Sequence, residues 1–135
     1  MVSEAVINNL LQHYEAGRLI DAEKLALSII QEYPNYQFTW KILSIVLQQL
    51  GRISESLVAS EKSVELMPQD AEAHYNLGNI LRELGRFEEA ETSYRQAVEL
   101  KPDYAEAHNN RGNTLAQIGR LDEAETSFRQ VITFK

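Results

Sequence analysis

Apolar residues recur every three or four positions along this chain, in runs that glycine or proline interrupts. In the first run, Val6 and Leu10 lie on one helical face, and Gly17 follows as a residue suited to a left-handed helix C-cap. A second run extends over residues 19–30 and stops before Pro34, which cannot donate a backbone amide to a continuing helix. The pattern therefore predicts two amphipathic helices joined by a tight turn.

This pair of helices is repeated along the chain. Residues 71–101 and 105–135 are identical at more than half of their positions when aligned with an offset of 34 residues. Such a period is typical of stacked helical repeats, in which one unit needs its neighbours to bury its apolar face. We therefore expect an all-α fold, a single array of four helical hairpins in residues 3–36, 37–70, 71–104 and 105–135. The offset aligns two columns of turn residues, Gly17, Gly51, Gly85 and Gly119, and Pro34, Pro68 and Pro102.

The composition narrows the classes of function. A net charge of −7 disfavours binding to nucleic-acid phosphates and to anionic lipid surfaces. The chain has no cysteine for disulfides or thiolate metal sites, and its N-terminus lacks the basic start and apolar run of a signal peptide. We therefore expect a cytoplasmic protein that has no nucleic-acid or membrane partner and holds no metal or cofactor.

The repeated columns resemble the tetratricopeptide repeat over essentially the whole chain. That family places small residues where paired helices approach closely and larger residues around them. The resemblance implies a right-handed superhelical stack of helix-turn-helix hairpins, whose first helices line a concave groove. It also implies a non-catalytic interaction scaffold that binds a protein or peptide partner, rather than an enzyme. The third repeat carries the pattern most fully, with Leu77, Gly78, Leu81, Ala90, Tyr94, Ala97 and Pro102.

The fourth repeat ends at Lys135 without a polar capping helix after it. A stacked array needs a polar outer end for solubility. We therefore interpret the sequence as a segment of a longer protein, with self-association through this end as the alternative.

One face of each first helix is expected to point away from its partner helix, because residues advance about 100° per position around the helix axis. This face resembles the one that lines the concave groove in tetratricopeptide arrays. The expected peptide-binding residues are Asn8, Lys41, Ile42, Ile45, Asn76, Asn79, Arg82, Asn109, Asn110 and Asn113.

Asparagine dominates the second half of this face. It is a poor helix former, but its side-chain amide can match one peptide unit of an extended ligand. Asn8, Asn76 and Asn110 occupy one column, which Ile42 interrupts, and this column resembles the groove of O-linked N-acetylglucosamine transferase repeats. The array would then bind peptides by itself or recruit substrates for a linked glycosyltransferase beyond Lys135. The alternative is that the asparagines are solvated or bridge neighbouring first helices.

Apolar residues dominate the first half of the same face. Exposed apolar clusters usually contact another molecule. The second interpretation of the chain is therefore a homo-oligomerisation module, such as a homodimer, that uses either this patch or the C-terminal end. The patch is expected to consist of Ile7, Leu11, Phe38 and Ile42.

Two further groups are interpreted as structural. His74 and His108 lie one repeat apart without a third ligand in register, so structural histidines are favoured over a metal site. The acidic pair Glu88 and Glu89 is interpreted as a solvated helix face, and we find no nucleophile–base pair or phosphate-binding loop. A clamp for chaperone C-termini would need basic residues where this chain has Glu72, Asn76, Glu106 and Asn110.

Overall fold

The structure of this chain is a computed structural model that describes residues 1–133. These residues form eight α-helices and no strand, which confirms the predicted all-α architecture of helical hairpins. None of the helices is both long enough and apolar enough to cross a membrane. In chain order they are α1 (Glu4–Glu15), α2 (Leu19–Glu32), α3 (Gln37–Gln49), α4 (Ile53–Leu66), α5 (Ala71–Glu83), α6 (Phe87–Leu100), α7 (Ala105–Gln117) and α8 (Leu121–Thr133). The first helix of each hairpin is thus α1, α3, α5 or α7.

The glycine column forms the turns between paired helices, as the sequence predicts. Gly85 has a φ of +76°, a conformation that residues with a Cβ rarely adopt. Its amide donates to the Arg82 carbonyl oxygen at 3.0 Å, and the Arg86 amide donates to the Leu81 carbonyl oxygen at 2.9 Å. These bonds satisfy carbonyl groups at the end of α5, so the chain reverses within two residues.

The chain divides into two compact units, unit 1 (Met1–Met67) and unit 2 (Pro68–Lys135). Each unit contains two of the predicted hairpins and buries apolar residues of its own. The prediction of one continuous four-repeat array stays a prediction.

Ile42 belongs to the core of unit 1. Only 6 % of its surface is exposed, and it belongs to a buried cluster against which partly buried residues such as Ile7 and Leu11 of α1 pack. The expectation that Ile42 lies exposed, in the groove or in the apolar patch, is therefore wrong. The same core contains Leu10, Ala22, Ala26, Ile29, Leu43, Val46, Leu47 and Ala59.

Small residues in unit 2 allow aromatic rings to pack directly on the first helices. A Cβ placed on Gly78 would lie 2.6 Å from Cε1 of Tyr94, and a Cβ on Gly112 would lie 2.6 Å from Cε1 of Phe128. The Tyr94 ring fills this space completely, since none of its surface is exposed. The close approach brings the Tyr94 hydroxyl to the polar side chains of α5.

A buried carboxylate joins α6 to α7. Glu91 is 1 % exposed and accepts hydrogen bonds from Nη2 and Nε of Arg111 at 3.2 and 3.3 Å. Guanidinium nitrogens of Arg95 and Arg120 lie 3.8 and 3.9 Å from its oxygens. Arg111 stands where α5 has Leu77, so this contact replaces apolar packing with an ion pair.

Candidate functional site

Four polar side chains from three helices of unit 2 form a hydrogen-bonded network, which we call the tyrosine–asparagine network: Tyr75 and Asn79 of α5, Tyr94 of α6 and Asn110 of α7. The Tyr94 hydroxyl donates to Oδ1 of Asn79 at 2.5 Å. Nδ2 of Asn110 donates to the same oxygen at 2.9 Å and to the Tyr75 hydroxyl at 3.2 Å. This arrangement matches the alternative in which asparagines bridge neighbouring first helices.

Aromatic rings surround the network. The ring centroid of Tyr75 lies 6.0 Å from that of Tyr94 and 5.0 Å from that of Tyr104. Burial raises the pKa of Tyr94 to about 12, while the positive charge of Arg82 acts in the opposite direction. Burial also raises the pKa of Tyr104. The Tyr94 hydroxyl therefore stays protonated at neutral pH and can donate to Asn79, which fixes α5, α6 and α7 together.

Asn113 occupies in α7 the position that Asn79 occupies in α5, but its surroundings differ. The ring equivalent to Tyr94 is Phe128, which has no hydroxyl to offer. The Asn113 side chain is exposed and forms no hydrogen bond within residues 1–133, and the same is true of Asn109, one turn earlier. The amides of Asn109 and Asn113 are thus available to a ligand, whereas those of Asn79 and Asn110 are engaged.

The other residues expected in the groove are less uniform. Asn76 is partly buried, and its Nδ2 has no hydrogen-bond partner among the described residues. In unit 1, Asn8 is exposed on α1, whereas Lys41 and Ile45 are partly buried on α3. The remaining residues of the expected apolar patch are partly buried and pack against the core of unit 1, namely Ile7, Leu11 and Phe38.

A hollow of about 500 Å³ lies beside α5 and α7 in unit 2. Its lining includes Arg82 and Glu83 at the end of α5, Phe87 at the start of α6, and Asn113 and Gln117 on α7. Within the described part of the chain, Arg82 forms no hydrogen bond or ion pair, and the Gln117 amide forms no hydrogen bond. The hollow therefore combines one cationic group and two neutral amides that the fold leaves unused.

The two histidines share a structural role. A carbonyl oxygen only accepts hydrogen bonds, so Nε2 of His74 donates to the Pro68 carbonyl at 2.8 Å and Nε2 of His108 donates to the Pro102 carbonyl at 2.8 Å. In unit 1 the equivalent residue, Trp40, donates from Nε1 to the Pro34 carbonyl at 2.7 Å. This bond was not predicted from the sequence. The signal for it was a side chain with a ring N–H group six residues after each of the three prolines.

The outer face of α8 exposes apolar surface. Ile132 is 74 % exposed, whereas its equivalent on α6, Val98, is 8 % exposed because α7 packs on that helix. Glu125 is likewise exposed, although its equivalent Glu91 is buried. The face of α8 thus exposes residues whose equivalents on α6 are buried.

Family models of the tetratricopeptide repeat match the second part of the chain. A model described as TPR repeat matches residues 78–119, and two models described as tetratricopeptide repeat match residues 59–92 and 105–135. A search among curated proteins found no match.

Solved structures show the same fold. A crystal structure of MamA superposes with a TM-score of 0.92 at 19 % sequence identity, covering 97 % of this chain and 77 % of that chain. MamA from Desulfovibrio magneticus RS-1, from residue 41 to its end, gives a TM-score of 0.89 at 21 % identity, covering 97 % of this chain and 74 % of that one. At this level of identity the similarity concerns the fold. Sequence and fold agree, and the chain is therefore built from repeats of the tetratricopeptide type.

Proposed function

We propose that this chain is a non-catalytic interaction scaffold that binds an extended peptide segment of a protein partner. In unit 2 the contacts to the peptide main chain come from Asn109 and Asn113 on α7. The observation that carries this proposal is that both side chains are exposed and keep their full hydrogen-bonding capacity within residues 1–133. Each amide offers donors and an acceptor and can therefore match one peptide unit.

The spacing of the amides suits an extended ligand. Four residues of an α-helix rise by about 6 Å, and two residues of an extended chain rise by about 6.6 Å. Asn109 and Asn113 are four residues apart, and Gln117 follows after another four. In an extended peptide lying along α7, every second main-chain peptide group points to the same side. These groups would therefore face the side-chain amides of Asn109, Asn113 and Gln117 in turn. Such contacts depend little on the side chains of the ligand.

The tyrosine–asparagine network supports this role because it holds α7 against α5 and α6 before a ligand arrives. A preformed surface loses less conformational freedom on binding than a mobile one. Asn79 and Asn110 would then act on the position of α7 and not on the peptide itself.

Peptides selected from a random library against the full chain test the proposal. We expect the double variant Asn109→Ala/Asn113→Ala to weaken binding about 10-fold or more, because two hydrogen bonds of about 1 kcal/mol each are lost. Gln130→Ala on α8 is the matched control and should keep wild-type affinity. Equal affinities for the double variant and the wild type, measured by fluorescence anisotropy, would remove these amides from the function.

The pair Asn76→Ala/Asn110→Ala tests the supporting role of the network. Because Asn110 belongs to the network, we expect this variant to lower the melting temperature as well as the affinity.

Recruitment of substrates for a linked glycosyltransferase stays a prediction of the sequence resemblance.

Self-association through the outer face of α8 is the second candidate function, and the exposure of Ile132 favours it. A second copy would then cover the surface that α7 covers on α6. Light scattering over a range of concentrations tests this candidate. We expect the wild type to associate and Ile132→Glu to remain monomeric, and a wild type that is monomeric at every concentration excludes the candidate.

A further inference from the structure

We propose that the hollow beside α5 and α7 is a carboxylate-binding subsite, in which Arg82 pairs with an anionic group of the bound peptide. Asn113 and Gln117 each donate to that group the amide N–H that the peptide main chain does not use. The inference rests on the proposed peptide function and specifies the chemistry of the ligand. All of its residues lie in unit 2, on helices that the tyrosine–asparagine network holds together.

The first argument is that Arg82, unlike the other arginines of residues 1–133, has no hydrogen-bond or ion-pair partner there. Six of the eight arginines in residues 1–133 form ion pairs with carboxylates, and a seventh, Arg18, donates from Nε to His13. Arg82 does neither, although it is partly buried at the edge of a hollow. A guanidinium presents five N–H donors in a fork that fits a carboxylate. Arg82 therefore has both the charge and the donors for an anion from outside the chain.

The neighbours of Arg82 are the second argument. Asn113 and Gln117 approach the hollow from α7, so a group bound there would be contacted from two helices. Their amides are neutral, which lets them donate without cancelling the positive charge. The partly buried Phe87 ring supplies an apolar wall for the methylene groups of an acidic side chain. A volume of about 500 Å³ accommodates such a side chain with part of its main chain.

Glu83 also lines the hollow and acts against an anion. It is exposed and already engaged in an interaction of its own. Its charge supplies a test of sign, because removing it should strengthen the binding of a carboxylate and weaken the binding of a cation.

The probes are four peptides of alternating alanine and serine, titrated into the full chain and followed by NMR. Three are capped at both ends and carry a central glutamate, glutamine or lysine. The fourth carries a central glutamine and has a free C-terminal carboxylate. We expect the glutamate peptide to bind about five- to tenfold more tightly than the glutamine peptide and to shift the side-chain amide signals of Asn113 and Gln117. The fourth peptide shows whether a chain terminus serves as the source of the carboxylate.

Variants assign the effect to the hollow. Arg82→Gln should abolish the difference between the glutamate and glutamine peptides, and Glu83→Gln should raise the affinity for the glutamate peptide about twofold. Arg129→Gln makes the same change in net charge on α8, where Arg129 is paired with Glu125, and should leave the difference intact. The preference for glutamate should also shrink as salt is added, because the ion pair is partly exposed.

The outcomes separate the subsite from the function. If the capped glutamate and glutamine peptides bind equally and Arg82→Gln has no effect, or if the lysine peptide binds best, the carboxylate subsite is wrong. A loss of binding in Asn109→Ala/Asn113→Ala would then still uphold the peptide-binding function. If none of the four peptides nor any library peptide binds, both proposals fail.

Discussion

At the scale of single residues, the hydroxyl of Tyr94 determines how the neighbouring asparagines are used. It donates to Asn79, which also accepts from Asn110, so both amides are engaged inside unit 2. One repeat later Phe128 replaces Tyr94, and the side chain of Asn113 is left exposed. Asn79 thus has two partners, the Tyr94 hydroxyl and the Asn110 amide, whereas the ring at the Tyr94 position of the last hairpin has no hydroxyl to offer Asn113.

The raised pKa of Tyr94 predicts a pH dependence of stability. Below about pH 10 the tyrosine is protonated in both the folded and the unfolded chain, so its full contribution is present. Above pH 10 the unfolded chain loses the proton first, because the ordinary pKa is 10.0 and the folded one is about 12. We expect the free energy of unfolding to fall by about 2–3 kcal/mol between these limits through this residue alone.

Tyr94→Phe isolates that contribution, since Tyr104 titrates in both proteins. At neutral pH we expect the variant to lose about 1 kcal/mol, for one hydrogen bond. The difference in unfolding free energy between wild type and variant should shrink and reverse between pH 10 and pH 12. Urea denaturation at a series of pH values measures it, and a difference that is constant with pH contradicts the assignment.

At the scale of helices, carboxylates link consecutive hairpins within each unit. In unit 1, Nη1 of Arg52 lies 2.7 Å from a Glu23 oxygen, and in unit 2 the equivalent arginine, Arg120, lies 3.9 Å from Glu91. Each of these arginines also pairs with a glutamate three residues later, which lowers the pKa of Glu55 and of Glu123. In both units, the arginine that directly precedes one second helix therefore pairs with a glutamate of the second helix before it.

Glu91→Gln should destabilise the contact between α6 and α7. The carboxylate is buried, and its removal leaves Arg111 without the charge that compensates its own. We expect a loss of about 1–3 kcal/mol, below the range for fully buried pairs because the Arg111 side chain is 20 % exposed. Thermal or urea unfolding measures this loss.

Glu125→Gln is the matched control for this prediction. Glu125 occupies the equivalent position on α8, where it is exposed and pairs only with Arg129 among the described residues. Its replacement should change the unfolding free energy by no more than about 0.5 kcal/mol. Similar losses for the two variants would show that burial of Glu91 contributes nothing.

At the scale of the whole molecule, the candidate site lies entirely within unit 2. The tyrosine–asparagine network, the free amides of α7 and the hollow all belong to residues 68–133. We therefore expect residues 68–135, expressed alone, to be helical by circular dichroism and to retain one tyrosine with a pKa of about 12. The same fragment with Tyr94→Phe should lose that titration. An unfolded fragment, or one whose tyrosines all titrate near 10, contradicts the independence of the unit.

Much of the fold could be predicted because its signals are local. Apolar spacing of three and four residues indicates the helices, a glycine at the end of each first helix indicates the turns, and a period of 34 residues indicates like hairpins. The exposure of Asn109 and Asn113 also followed from helical geometry, since these residues lie away from the paired helix.

The sequence by itself determined the eight helices, their pairing into hairpins and the face of each first helix on which to look for a ligand, because neighbours along a helix are related by a fixed rotation. Only the tertiary structure decided which side chains on that face are free. Ile42 is buried in the core of unit 1, Asn79 and Asn110 are engaged through residues 15 and 31 positions away, and Arg82 forms no ion pair with a carboxylate of residues 1–133. Contacts of that kind depend on how helices meet across the repeats, and the order of residues along one helix does not specify them.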